Sequence, residues 1–220
     1  MSWEDTTDLS DNMNILLLGP QGSGKGTQAR LLCEKFGFFY FESGAFLRDA
    51  SKTNEHLAQM LKNGVFVPDA EMSSYVTSYL DEKGVYDNIL FDGFPRSIIQ
   101  YDSLKVWLTA KKVKIDIIFL LTISQEETIR RLSARRTDPV TGKIYNLVTD
   151  PPPSGLDPNT LTQRDDDKPE AIKKRLGWYE EQVTPLIAAL REDIGVVDID
   201  GMRPIGEIQK ELVEIIEKQK

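Results

Sequence analysis

Five short apolar runs punctuate an otherwise polar chain: Ile15 to Leu18, Phe38 to Phe41, Ile89 to Phe91, Ile115 to Ile123, and Val196 to Asp200. Their length, their β-branched and aromatic bias and the helical patterns between them predict strands buried on both faces. The expected fold is therefore α/β, a five-stranded parallel sheet flanked by helices. In such sheets ligands bind beyond the carboxyl ends of the strands, so the residues after Leu18, Phe41, Phe91 and Ile123 are the first candidates for chemistry. Near the C-terminus, Ile205, Ile208, Leu212 and Ile215 recur at helical spacing and predict a helix capping the sheet.

Two stretches interrupt the strand–helix alternation. Residues 43–71 are polar and helical from Phe46 to Met60, and residues 134–167 hold Gly142, Pro151-Pro152-Pro153 and Gly155 with too few apolar side chains for a core of their own. A loop of that length inside a compact domain is a functional lid or a disordered segment, and its basic flanks favour the lid. The expected organisation is an N-terminal arm (1–13), a core (14–42, 72–133 and 168–220), a small helical insertion (43–71) and a lid insertion (134–167).

Composition narrows the function classes. A chain of 220 residues suits one domain with modest insertions. Its 27 Lys+Arg against 35 Asp+Glu give a net charge of −8, which disfavours general nucleic-acid binding. The longest predominantly apolar run, Ile117 to Ile123, falls far short of the roughly 20 residues that cross a bilayer, so no membrane partner is expected. The acidic first thirteen residues fit neither a secretory signal nor a transit peptide, and a cytoplasmic location is expected. A single cysteine, Cys33, excludes an internal disulfide and a zinc site built from several thiolates, so no zinc is expected. Cys33, Trp3, Trp107 and Trp178 read as packing residues, and His56 as an exposed one.

The strongest chemical signal is Gly19-Pro20-Gln21-Gly22-Ser23-Gly24-Lys25-Gly26-Thr27, which follows the first strand and opens a helix. Glycines let the backbone wrap phosphate oxygens, the helix N-terminus adds partial positive charge, and Lys25 adds a full one. The natural ligand is the β/γ end of a nucleoside triphosphate. Gly26 stands where the common pattern has Ser or Thr, with Thr27 following. Six arginines, at 48, 96, 131, 135, 164 and 175, flank strand ends or the long insertion against the chain's overall sign. Their planar forks bind phosphate in a bidentate way that lysine cannot copy.

These motifs together resemble the nucleoside monophosphate kinases, and the adenylate kinase family most closely. The resemblance rests on Gly24-Lys25-Gly26-Thr27, on Ser43-Gly44-Ala45-Phe46-Leu47-Arg48, on Asp92-Gly93-Phe94-Pro95-Arg96 with Gln100 following, and on Arg131, Arg135, Arg136, Arg164, Asp166, Asp167 and Arg175 around the lid. It runs from about residue 14 to the C-terminus. Two positions depart: Gln21, where the family often has proline, and Ala45, where it usually has aspartate.

The resemblance implies a P-loop NTPase type of fold and reversible, Mg²⁺-dependent transfer of the ATP γ-phosphoryl group to AMP, giving two ADP, by a monomer. It places ATP on Gly22, Ser23, Gly24, Lys25, Gly26, Thr27, Arg131 and Arg135. It places AMP, in the 43–71 insertion and its border, on Ser43, Arg48, Val67, Gly93, Arg96, Gln100, Arg164 and Arg175. Lys25, Arg96, Arg135, Arg164 and Arg175 would act on the transferring phosphoryl, and Asp92 would hold Mg²⁺ through water. Asp166 and Asp167 would pair with lid arginines. Rival readings are another monophosphate kinase, using GTP or accepting UMP or CMP, a nucleotide-binding module without turnover, and a switch GTPase. The long insertion argues against the pyrimidine kinases, and the lack of an Asn-Lys-x-Asp motif against the switch.

Overall fold

A computed structural model describes residues 12–63 and 65–219 of the chain. The apolar runs form β1 (Ile15–Leu18), β2 (Phe39–Glu42), β3 (Ile89–Asp92), β4 (Ile117–Thr122) and, last along the chain, β7 (Val197–Asp200). They lie in the order β2-β3-β1-β4-β7, every neighbouring pair parallel. Alternate residues feed two separate cores. Leu16, Leu18, Phe41, Phe91, Ile118 and Leu120 face one side, and Ile15, Leu17, Leu90, Ile117, Phe119 and Leu121 the other. Full burial of a side chain of this size contributes about 1.5–3 kcal/mol, so both faces must be covered for the sheet to persist.

The first core is closed by α4 (Asp69–Lys83), α5 (Ile98–Ala110) and α8 (Thr184–Asp193), which bury Met72, Val76, Leu80, Leu104, Leu108, Leu186 and Leu190. The second is closed by α1 (Lys25–Phe36) and α9 (Ile205–Gln219). The C-terminal helix forms where the apolar spacing predicts it, but its buried row is Ile208, Leu212 and Ile216, while Ile205 is exposed. The expected face is thus rotated: an i, i+4, i+8 row meets the sheet, and Ile205 sits in the first turn beside the loop after β7. Asn14 fastens the opposite edge, its Oδ1 accepting from Ile89 N and its Nδ2 donating to the Lys114 carbonyl.

Of the expected arm, residues 1–11, including Trp3, lie outside the described residues, whereas Met13 is buried in the second core. The first insertion supplies α2 (Ser43–Ala50) and α3 (Glu55–Lys62), the latter capped by the Asn54 side chain accepting from Leu57 N. Helix α4 begins at Asp69 and continues without a break into the core. The second insertion follows α6 (Gln125–Ser133) and forms an antiparallel hairpin of β5 (Arg135–Thr137) and β6 (Ile144–Asn146), before α7 (Pro169–Trp178) returns to the core. Tyr145 and Leu161 are buried beneath it. Cys33 is half-buried on α1, its thiol pushed up to about 11 by burial with Glu34 adding to the effect. His56 is exposed beside Glu71. Among the described residues no helix is long and apolar enough to cross a membrane.

The hairpin turn of the second insertion is held by hydrogen bonds. Asp138 accepts from Val140 N at 2.9 Å and from the Thr141 hydroxyl at 2.5 Å. Asp157 makes a separate local turn, accepting from Asn159 N, so the two sides are stapled independently. Asp138→Ala is expected to cost about 1–3 kcal/mol of local stability, read as faster amide exchange in residues 138–146. A strong chelator is expected to leave the melting temperature of the magnesium-free protein unchanged, and elemental analysis to find no stoichiometric zinc.

Candidate active site

The loops after β1, β3 and β7 and both insertions surround one cavity of about 1080 Å³ at the carboxyl edge of the sheet. That is the upper limit of the roughly 300–1,000 Å³ usual for a small-molecule site. Gly22, Ser23, Gly24, Lys25, Gly26 and Thr27 line one end. No side chain caps α1, so its first-turn N–H groups remain an anion-binding end. The Ser23 hydroxyl is buried without a hydrogen-bond partner, a polar atom suited to a phosphate oxygen. Lys25 Nζ donates to the Gly19 and Pro20 carbonyls at 2.7 and 2.9 Å. Burial lowers its pKa to about 8; Asp92 opposes that, while Arg96, Arg175 and Arg135 reinforce it.

Asp92 ends β3, nearly buried, with its Oδ2 accepting from the Tyr40 hydroxyl at 3.0 Å. Burial pushes its carboxyl above the usual range against the pull of Lys25, with Glu42 adding to the rise. A Cβ at Gly26 would lie 3.6 Å from Asp92 Oδ2 and 3.5 Å from the Tyr40 hydroxyl. Gly26 thus packs directly beside this carboxylate, and a Cβ there would make only ordinary contact with it.

The Asp92-Gly93-Phe94-Pro95-Arg96 segment owes its shape to Gly93, whose φ is +74°. A Cβ there would sit 2.8 Å from Ser43 Oγ and 2.9 Å from Arg96 Nη2, so only glycine lets these two meet. Ser43 donates to the Gly93 carbonyl at 2.7 Å and accepts from Arg96 Nη2 at 2.9 Å. Arg96 is thereby fixed across the cavity, its basicity lowered by burial. Arg48, half-exposed, donates to Glu42 at 3.2 Å.

Three arginines converge from the second insertion and α7. Arg135 grips the fully buried Asp167 with two bonds of 2.7 and 2.5 Å. Arg164 grips Asp166 with two of 3.0 Å, and Arg175 donates to the Asp166 backbone and side chain. Asp166 and Asp167 pair with these arginines as expected. Burial raises the Asp166 carboxyl's pKa, but Arg175, Arg164 and Arg135 together more than offset it, so it lies below the usual range. Burial lowers Arg175 to about 10 and depresses Arg164 as well. Arg131 is held by Glu127 and donates to the carbonyls of Gly22 and Gly201, tying the phosphate loop to the loop after β7. Glu127, bound first by Arg130 and then by Arg131 against the effect of its burial, is held down at about 2.

Val67 lines the cavity with Leu47, Leu61 and Phe66. Gln100 does not line it: the buried amide accepts from Arg96 N and donates to Asp69 Oδ1, both at 2.8 Å. Among the lining residues that sequence reasoning missed are Trp178, Phe66 and Glu42. Trp178, read as packing, stacks on Phe66 with centroids 4.4 Å apart and planes 16° from parallel, and Arg96 lies over its ring. Its position three after Arg175 on one helix puts both on one face, a signal available beforehand. Glu42 carries no such signal.

A family model described as adenylate kinase matches residues 17–194. Three adenylate kinases match nearly end to end. That of Salinibacter ruber is 34% identical over 93% of this chain and 98% of its own. That of Geotalea uraniireducens is 36% identical over the same shares. That of Methanothrix thermoacetophila is 36% identical over 94% and 99%. With a family model spanning most of its length and relatives aligned almost completely, the chain belongs to the adenylate kinase family.

Proposed function

We propose that this chain transfers the γ-phosphoryl group of ATP to AMP, reversibly, giving two ADP. The observation that carries this reading is the gathering of Lys25, Arg96, Arg135, Arg164 and Arg175 around one cavity, with burial lowering the basicity of four of them. A site that destabilises its own cations in the free state is matched to a ligand carrying several negative charges. Phosphoryl transfer asks the protein for alignment and charge stabilisation rather than covalent chemistry.

In this reading ATP lies on Gly22, Ser23, Gly24, Lys25, Gly26 and Thr27, with Arg131 beside its base and Arg135 on its phosphates. AMP lies against Ser43, Arg48, Val67, Gly93 and Arg96, with Arg164 and Arg175 reaching the bridging phosphoryl, while Gln100, the base-side residue of the family's pattern, acts from behind the cavity wall by holding Arg96 N and Asp69. Residues 43–71 and 134–167 move over a core of 14–42, 72–133 and 168–220 and exclude water from the transfer. Asp92 fits Mg²⁺: it is a single hard carboxylate that lines the cavity beside the phosphate loop, as suits an ion that keeps most of its water. The ion supplies neutralisation of charge across the phosphate oxygens, and Tyr40 orients the carboxylate that would hold it. The protein acts as a monomer in the cytoplasm.

Lys25→Met removes the charge and leaves the backbone cradle. A loss of at least about 10²-fold in kcat is expected, with an unchanged circular dichroism spectrum. Near wild-type turnover from the folded variant would contradict the assignment.

Because Lys25 in the free protein loses its proton near pH 8 and a bound polyphosphate favours the charged form, ATP affinity is expected to fall as pH rises above about 8. Binding at pH 8.5 should take up protons, read by calorimetry in buffers of different ionisation enthalpy. The uptake should vanish in Lys25→Met.

Gln100→Ala removes the acceptor for Arg96 N and the donor to Asp69. It is expected to raise KM for AMP about three- to tenfold and leave KM for ATP within about twofold, in a coupled assay. Better turnover of CMP or UMP than of AMP by the wild type would replace AMP by a pyrimidine acceptor within the same reaction class.

A further inference from the structure

Glu42 is the last residue of β2, opposite Asp92 in the parallel register, and it lines the cavity. It is one of several carboxylates that border the gathered arginines, and it stands at the edge of the cavity. Its partner is specific: Oε1 lies 3.2 Å from Arg48 Nη2. Arg48 sits near the end of α2, so its side chain folds back along that short helix to reach Glu42. The path crosses Gly44, where a Cβ would stand 3.0 Å from Arg48 Nη1 and 3.5 Å from Glu42 Oε1. A Cβ at 44 would require the Arg48 guanidinium to give by a few tenths of an ångström.

We propose that Glu42 is a positioning residue for the acceptor phosphate, acting by holding the Arg48 guanidinium folded over Gly44 at the mouth of the cavity. A half-exposed arginine without a partner loses order in several side-chain torsions, and fixing them beforehand spares that cost on binding. One Arg48 nitrogen serves Glu42 and the remaining N–H donors stay available, because the guanidinium carries five in a fixed fork. Ser43, the next residue, holds Arg96 through its hydroxyl. Consecutive residues 42 and 43 thus each fix one arginine, from the two sides of the segment that opens α2. The nearby charge of Glu42 also contributes to the raised pKa of the Asp92 carboxyl, so its effect extends across β2 and β3.

The proposal rests on Arg48 contacting the acceptor monophosphate, and the experiment separates the two. Steady-state kinetics are measured for Glu42→Ala, Glu42→Gln, Arg48→Ala and the Glu42→Ala/Arg48→Ala double variant, with melting temperatures as a check on folding. The ion pair is partly solvated, so its effect is bounded by the modest worth of such pairs, at most about fivefold in an equilibrium constant. Glu42→Ala is expected to raise KM for AMP about three- to fivefold, with KM for ATP and kcat within about twofold. Glu42→Gln, which keeps an oxygen acceptor for Arg48 without the charge, should restore part of the loss, and it carries the test alone if the alanine variant does not fold. In the Arg48→Ala background, Glu42→Ala should add nothing further. An unchanged or lowered KM for AMP in both Glu42 variants, or an added loss in the double variant, overturns the proposal. An unchanged KM in Arg48→Ala overturns instead the placement of Arg48 on the monophosphate.

Discussion

Like-charge crowding at the carboxyl edge of the sheet is the constraint on which the rest of the architecture turns. Two unit charges about 4 Å apart interact by about 4 kcal/mol in a protein-like dielectric, and this cavity gathers a lysine and several arginines. It pairs them with carboxylates. Asp166 and Asp167 hold Arg135, Arg164 and Arg175, and Asp92 faces Lys25 and Arg96. The apolar cores on both faces of the sheet hold the strand ends that carry this arrangement.

The placement of β1 at the centre of the sheet follows from the same need. Its carboxyl end, with the phosphate loop, is flanked by β3 carrying Asp92 and by β4 leading into α6 and the second insertion. Arginines separated by more than a hundred positions in the chain, such as Arg48 and Arg164, therefore border one volume without any strand changing direction. Glycine supplies the remaining freedom where backbones and side chains crowd. Gly93 lets Ser43 and Arg96 touch.

Much of this was legible in the sequence, and the parts that were not share a reason. Strand runs are short and strongly apolar, and four of the five adjoin a glycine, so hydrophobic patterning places them within a residue or two. The phosphate loop is a local motif whose geometry its own residues dictate. What patterning misses depends on long-range packing. The order of the strands, the rotation of α9 that buries Ile216 instead of Ile205, and the stacking of Trp178 on Phe66 all require knowing which surfaces meet. Gln100 illustrates a subtler limit. Its spacing after Arg96 was readable, but that its amide is already engaged by Arg96 N and Asp69 was not. At Ala45 the family's usual aspartate is absent, and the carboxylate that reaches Arg48 stands three residues earlier, at Glu42.

The aspartate pair 166–167 links these static features to motion. A carboxylate gripping an arginine in two bonds offers the same planar recognition that a phosphate does, so Asp166 and Asp167 hold the arginine forks in the shape a phosphoryl group would meet. Three arginines share two carboxylates, which leaves N–H donors over and no deep trap to escape. In the proposed reaction an incoming phosphate would complete a coordination already organised instead of breaking one. Because Arg135 and Arg164 belong to the second insertion and Arg175 to α7, the same charge would draw the insertion toward the core, so that on this proposal closure of the site and stabilisation of the transferring group are one electrostatic event.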